Sequence, residues 1–232
     1  TVHHKDEMTD AYRSMVCRLM IRQLFAEMAT SEIFGHSIEL APTWRDKVRQ
    51  AQFCREEAEH SESVAEHLED LGVDLEQHMA ERQSGMKFFG VSEELNDWTE
   101  VVVFSFCADR AGSHQLMEYR GNSYAPWAKT MDKILAEEEV HQAIGNQQLE
   151  RICQTPEGRA RAQRYLENIL PVVVKRAFGR INVEANRYCI EHGLKTRRAD
   201  EVQSSYFAEV RALLDQCGLQ FPDLEKASVQ TG

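Results

Sequence analysis

The sequence predicts an all-α protein: an antiparallel four-helix bundle with additional helices packed outside it. Three observations lead there. Only twelve glycines and five prolines punctuate the 232 residues. Between them run long stretches with apolar residues at i, i+3, i+4 and i+7, the period of a helix with one greasy face. The four longest stretches are joined by short or medium connections, which fold consecutive helices back along one another.

The elements follow in order. A first helix is expected over about 8–38, ending before Leu40-Ala41-Pro42-Thr43, where Pro42 suits the opening of the next helix. The second covers about 43–71 and stops at Leu71-Gly72. From Val73 to Gly90 the pattern is less regular, one short helix and a loop. Ser92 is expected to cap a third long helix over about 93–120, closed by Arg120-Gly121-Asn122. Pro126 opens the fourth, about 126–153, stopped by Thr155-Pro156-Glu157-Gly158. Further helices over about 156–177, 181–193 and 198–217 complete the chain, the first of them interrupted at Pro171. No repeat of solenoid type and no low-complexity segment occurs, so we expect one domain over 1–232, with a core bundle at about 8–153 and accessory helices at about 156–217.

Composition excludes several classes of partner. With 38 acidic and 27 basic residues the formal charge is −11, which repels phosphate backbones and anionic lipid headgroups. Nucleic acid and membrane are therefore not expected partners. The six cysteines (Cys17, Cys54, Cys107, Cys153, Cys189 and Cys217) have no C-x-x-C spacing and mostly sit in apolar helical patterns, the habit of reduced, buried thiols in a cytoplasm-like compartment. No basic-then-apolar segment opens the chain, and the longest apolar runs, Val101–Phe106 and Ile169–Val174, are too short to span a bilayer. The expectation is a cytoplasmic protein.

The chemistry resides in two Glu-x-x-His pairs, Glu57/His60 and Glu138/His141. This spacing puts both side chains on one face of a helix, one turn apart, where they reach the same point. Two such pairs are only a mild excess over chance. Their placement is what matters. On the second helix the stripe Phe53/Cys54, Glu57, His60, Val64, Leu68, Leu71 is otherwise apolar, and on the fourth so is Met131, Leu135, Glu138, His141, Gly145, Leu149. Both pairs point inward, and an inward carboxylate must be neutralised, paired or bound to metal. On the third helix the stripe Val102, Phe106, Asp109, Gly112, Leu116 holds one acid, and the turn near residue 123 lies almost midway between Asp109 and Glu138. On the first helix Glu27 lies on the stripe Val16, Met20, Leu24, Glu27, Ser31, Phe34, with the turn near 40–42 about midway to Glu57; Glu32 is the alternative, several residues too close to that turn.

The set is then Glu27, Glu57, His60, Asp109, Glu138 and His141, four carboxylates and two imidazoles from four helices. One acid from each of two helices and a Glu-x-x-His from each of the others is the di-iron or di-manganese arrangement of ferritin-like bundles. Four carboxylates balance two divalent ions, and oxygen ligands with one imidazole per ion suit two irons, a manganese–iron pair or manganese. No cysteine cluster supports a structural zinc site.

With these residues in view, the sequence resembles the ferritin-like family of phenylacetyl-CoA monooxygenase (epoxidase) subunits, its catalytic, iron-binding subunit in particular. The matching features are Glu27 followed by Ala41-Pro42, Arg55-Glu56-Glu57-Ala58-Glu59-His60, Ala108-Asp109-Arg110-Ala111-Gly112, Ser123-Tyr124-Ala125-Pro126-Trp127 and Glu137-Glu138-Glu139-Val140-His141-Gln142. They span about residues 15–150. The aspartate on the third helix, in place of the usual glutamate, is itself characteristic of that subunit. The resemblance implies an oxygenase that activates O2 at two metal ions to epoxidise or hydroxylate an apolar substrate, an aromatic or acyl-CoA thioester. No flavin, nicotinamide or iron–sulfur motif occurs, so electrons are expected from a separate reductase; assembly as a homo-oligomer or with a paralogous partner is left open.

Plainer assignments cover the remaining residues. Asp109 could instead pair with Arg110 or Arg120. Glu56, Glu59, Glu137 and Glu139 are read as surface acids or as supports for the ligands. His36, His67, His78, His114 and His192 are read as surface or hydrogen-bonded, and Phe25, Met28, Phe104, Phe106, Met117 and Met131 as core, some of them lining a pocket. The basic residues Lys175, Arg176, Arg180, Arg187 and 195–198 are read as solvated helix faces, with a coenzyme A phosphate as the alternative. Competing functions are iron storage, peroxide scavenging of the rubrerythrin kind, for which the four-cysteine module is missing, and a non-catalytic scaffold role in an oxygenase complex. A radical role would need a tyrosine beside the metals, and Tyr119 and Tyr124 fall off the inward stripes or in the turn.

Overall fold

The computed structural model describes residues 1–80, 95–179 and 182–224. Its helices are α1 (Asp10–Ser37), α2 (Trp44–Asp70), α3 (Leu75–Ala80), α4 (Trp98–Leu116), α5 (Ala125–Cys153), α6 (Pro156–Phe178), α7 (Val183–Glu191) and α8 (Ala199–Gln216). Among the described residues there is no strand, only an isolated bridge between Val2 and Tyr124. No helix there is long and apolar enough to cross a membrane.

The helix starts are written locally. Thr9, Thr43, Asp97, Thr155 and Asn182 each accept a hydrogen bond from a backbone N–H of the first turn that follows, satisfying donors the helix itself leaves open. Gly72 and Gly121, after α2 and in the α4–α5 connection, hold φ of 77° and 75°, a left-handed conformation that side chains resist.

α1 lies along α2 and α4 along α5, each pair antiparallel; α2 also meets α5, and α1 meets α4, which closes the four-helix bundle. α6 and α8 pack on the outside of α4. α4 is thus covered all round, which is why it reads Val101-Val102-Val103-Phe104 and buries nearly every residue. Even its arginine is inside. Arg110 donates through Nε to Glu209 (2.7 Å), and through its terminal nitrogens to the Phe106 carbonyl (2.7 Å) and Asn146 Oδ1 (2.8 Å), tying α4 to α8 and α5. The Tyr206 hydroxyl adds a bond to the Cys107 carbonyl (3.1 Å).

Apolar packing divides into two clusters. One joins α4 to α6 and α8 and reaches Ile33 on α1 and Leu149 on α5. The other joins Val16, Met20 and Leu24 to Val64, Leu68, Trp127, Met131 and Ile134. On α1 the gap falls between Leu24 and Ile33, and on α5 between Ile134 and Leu149. The predicted polar residues occupy that gap.

Three expectations need correction. Residues 95–97 are not helical, so the third long helix begins at Trp98 under an Asp97 cap rather than at about 93; Ser92 lies outside the described residues. Pro171 does not interrupt its helix: α6 runs through it, because burial of Leu166, Ile169, Leu170, Val173 and Val174 against α4 outweighs the lost backbone bond. Met117 is 46% exposed rather than core, since α4 ends at Leu116 and the chain turns outward in a 3-10 turn. The short helix expected after Gly72 is α3, and the rest of that stretch to residue 94 lies outside the described residues.

Candidate metal centre

Four helices deliver the predicted side chains to one buried place. Glu27 comes from α1, Glu57 and His60 from α2, Asp109 from α4, Glu138 and His141 from α5, and all six are buried. The alternative Glu32 is exposed. One potential ligand atom from each of Glu27, Glu57, His60 and Glu138 lies within 4.8 Å of the others. Nδ1 of His60 is 3.6 Å from Glu138 Oε1, 3.9 Å from Glu27 Oε2 and 4.0 Å from Glu57 Oε2. His141 approaches from the other side of Glu57, its Nδ1 3.2 Å from Oε1. Glu57 therefore stands between two imidazoles, one oxygen toward each. Asp109 stands outside the tight group of four but lines the same cavity as Glu27, Glu57 and Glu138.

The electrostatics are those of anions brought together out of water. Burial, and then the neighbouring Glu138 and Glu27, raise the Glu57 carboxyl well above its ordinary range. Burial, Glu27 and Asp109 do the same to Glu138. Asp109 is pushed up to about 8 by burial, with Arg110 pulling down and Glu27 pushing further up. Arg110 is not its hydrogen-bonded partner, being committed to Phe106, Asn146 and Glu209. Without a cation such groups keep protons at neutral pH; a pair of divalent ions would let them ionise.

The imidazoles carry the second sign. Nε2 of His60 bonds Glu137 Oε2 at 2.8 Å, and Nε2 of His141 bonds Glu56 Oε2 at 2.8 Å. A carboxylate can only accept, so Nε2–H donates and the lone pair is left on Nδ1. Both Nδ1 atoms, and Asp109 Oδ1, are buried with no hydrogen-bond partner. An outer carboxylate fixing the imidazole that turns its other nitrogen inward is the usual support of a metal-ligating histidine. The residues present fit a pair of hard divalent ions.

The supports cross over. Glu56 on α2 holds His141 of α5, and Glu137 on α5 holds His60 of α2, so each helix props the other's histidine. The sequence carries a signal for this: both motifs are Glu-Glu-x-x-His, and the first glutamate is the support. Burial alone would raise Glu56, yet hydrogen bonds from Gln52 and His141 leave it below its usual value. Of the other two acids, Glu59 pairs with Arg55 and Lys133, and Glu139 is exposed. Sequence reasoning missed Gln23, one turn before Glu27 on the same stripe. Its oxygen accepts from the indole N–H of buried Trp127 (2.9 Å), so its amide N–H is turned to Glu27 Oε1 (3.1 Å). That leaves Oε2 of Glu27 facing His60.

A cavity of about 280 Å³ opens onto the acids between α1, α4 and α6. Glu27, Glu57, Asp109 and Glu138 form its floor, and Ala108, Ala111, Gly112, Leu116, Val173 and Ala177 its apolar walls. Neither histidine lines it, so access is from the carboxylate side. Arg22, at its edge, donates to the Arg176 and Ala177 carbonyls (3.0 Å each) and fastens the end of α6 over it. Tyr119, expected off the inward stripes, lines this cavity as well, its ring centroid 4.4 Å from that of Trp127 and tilted 35° to it.

Several of the remaining histidines and basic residues take structural partners. His114 is buried with Nε2 on Glu209 (2.8 Å). Arg197 pairs with buried Glu118, Arg198 with Asp200, and Arg187 with Glu191. Arg180 lies outside the described residues.

The profile of the family described as "Phenylacetic acid catabolic protein" matches residues 1–232. The chain belongs to this family. It is 27% identical over 157 residues to "Benzoyl-CoA oxygenase component B" of Aromatoleum evansii, an alignment covering 64% of this chain and 33% of that protein. It is 28% identical over 148 residues to one of the subunits of the 1,2-phenylacetyl-CoA epoxidase of Escherichia coli (strain K12), covering 62% of this chain and 47% of that one. The chain thus matches between a third and about half of the length of these curated relatives.

Proposed function

We propose that this chain is the oxygen-activating component of a monooxygenase that epoxidises or hydroxylates an aromatic coenzyme A thioester. The observation that carries the reading is the buried meeting of four carboxylates and two imidazoles, with both Nδ1 atoms free and turned inward. Glu27, Glu57, His60, Asp109, Glu138 and His141 are the residues that would hold two iron ions, or a manganese–iron or manganese pair. The chemistry such a pair supplies when bound is one-electron exchange with O2 and Lewis-acid polarisation of oxygen.

The rest is the work of the protein's own residues. Four carboxylates neutralise two divalent charges. Glu56 and Glu137 fix the tautomer and aim of the histidines, and Gln23, held by Trp127, fixes Glu27. The cavity places a substrate on the carboxylate side, where a substrate filling its apolar walls displaces water from the acids. It is compact, and a cavity of about 150 Å³ already holds benzene; at about 280 Å³ it suits a ring with a short attachment better than a long acyl chain. Both relatives are named as parts of larger oxygenases or epoxidases of an aromatic coenzyme A thioester, which supports that substrate class and an electron-donating reductase on a separate chain.

Anaerobic reconstitution of the apoprotein with ferrous iron tests the reading. Two irons per chain and an optical change on admitting O2 are expected. Uptake well short of two, or no response to O2, overturns it. Glu57→Ala and His141→Ala should each lower metal content; unchanged content would favour the scaffold reading instead.

A further inference from the structure

Gly112 is a helix glycine that its neighbours do not explain. It lies inside α4, where glycine costs backbone entropy relative to alanine and packs nothing. Half-buried glycines are commonly kept because another backbone or ring comes too close for a Cβ. Here that reason fails: a Cβ built on Gly112 meets nothing within 4 Å beyond its own helix. Ala108, one turn earlier, and Ala111 line the same cavity, and Asp109 projects into it between them. The space opposite Gly112 is the cavity itself.

The geometry points to Gly112 as the residue that sets the size of the substrate this site admits: the volume left by its missing side chain is occupied by the aromatic ring of the substrate, lying against α4 beside Asp109. A side chain at position 112 enters that volume directly, since no neighbour stands between it and the opening. Ala108 bounds the same face one turn away. That the occupant is the ring of an aromatic thioester rests on the reading proposed above, whereas the control of cavity size by position 112 does not. Gly145 on α5 supplies the contrast, for its Cβ would also meet nothing within 4 Å, yet it does not line the cavity.

Phenol and 2-naphthol, two coenzyme-free aromatics of graded size, serve as probes, with binding followed by titration calorimetry. The wild-type protein is expected to bind both. Gly112→Ala should weaken 2-naphthol by about tenfold or more, the usual effect of one methyl group in an apolar pocket, and spare phenol. Gly112→Leu should abolish binding of both, and Gly145→Ala should change neither. Ala108→Val, on the same wall, should repeat the discrimination, so the result does not depend on one variant folding. Wild-type affinity for 2-naphthol in Gly112→Leu, equal losses in Gly145→Ala and Gly112→Ala, or no binding of either probe to the wild type would each overturn the inference. Metal titration is read separately: uptake short of two ions with size discrimination intact sinks the oxygenase reading and leaves this one standing.

Discussion

Replacing Asp109 by asparagine should stabilise the metal-free protein and reduce the stabilisation that bound metal adds. Burial sets the Asp109 carboxyl at about 8, against 3.8 for an ordinary aspartate. The folded apoprotein therefore keeps a proton that the unfolded chain gives up above pH 4. Where the unfolded state binds fewer protons, stability falls with rising pH, so the loss begins near 3.8 and levels off near 8. Each unit of pKa difference is worth about 1.4 kcal/mol, which gives under about 1 kcal/mol at pH 4 and about 4 kcal/mol at pH 7. Asparagine has no such proton to hold, so metal-free Asp109→Asn should exceed the wild type by up to about 4 kcal/mol at pH 7 and by little at pH 4. With manganese(II) or anaerobic iron(II) present this advantage should shrink. The wild type gains about 2.7 kcal/mol when free ion is a hundredfold above Kd, and the variant, one negative charge short, gains less. Urea unfolding at pH 4, 7 and 8.5, with and without metal, measures all of this. Equal destabilisation by Asp109→Asn at every pH in the metal-free state would refute the reasoning, for it would mean an ionised Asp109 paired with Arg110.

The other predictions concern what surrounds the acids. Glu56→Ala and Glu137→Ala should each leave the helices intact, checked by circular dichroism, and weaken metal binding by about 10- to 100-fold in equilibrium dialysis, because each frees the far nitrogen of a histidine on the opposite helix. Arg110→Ala removes a fully buried side chain that joins three helices and should cost about 2–5 kcal/mol in thermal or urea unfolding. Glu209→Gln should show a pH signature opposite in sign to Asp109→Asn. His114 and Arg110 hold the Glu209 carboxyl near 2, so its contribution is present above about 4.5 and is lost as pH falls toward 2; the deficit of the variant, read by urea unfolding, should shrink over that window.

The bundle was legible because its information is local. Caps at Thr9, Thr43 and Thr155 and the apolar period fix where α1, α2 and α6 begin, and most boundaries fall within a few residues of expectation. Glu27 could be preferred to Glu32 because an antiparallel hairpin equates heights across its turn, and the buried Glu27 and exposed Glu32 follow that rule. Pro171 was misread for the converse reason. Its effect on α6 depends on how much surface the flanking residues bury against α4, a quantity held by another segment of the chain.

What surrounds the candidate centre was less legible, and for a reason that applies to any site built from facing helices. The spacing i, i+3 says that Glu57 and His60 share a face, but not which nitrogen of His60 turns inward or what holds the other. Those answers depend on how α2 and α5 are rotated about their axes. Glu56 is one residue, about 100° around the helix, from Glu57, so when Glu57 points to the bundle axis Glu56 points along the α2–α5 seam, where His141 presents its Nε2. By the same rotation Glu137 reaches His60. The crossing couples the two helices: neither histidine keeps its aim unless the opposite helix stays in register. A shift of α5 along α2 by one turn, about 5.4 Å, would break both 2.8 Å bonds together and leave two buried imidazoles unheld. The doubled glutamate thus does more than add charge; it makes the register of α2 and α5 a condition for the site's shape. The trio Trp127, Gln23, Glu27 does the same between α5 and α1, since the indole N–H on one helix sets the amide that holds the acid on the other.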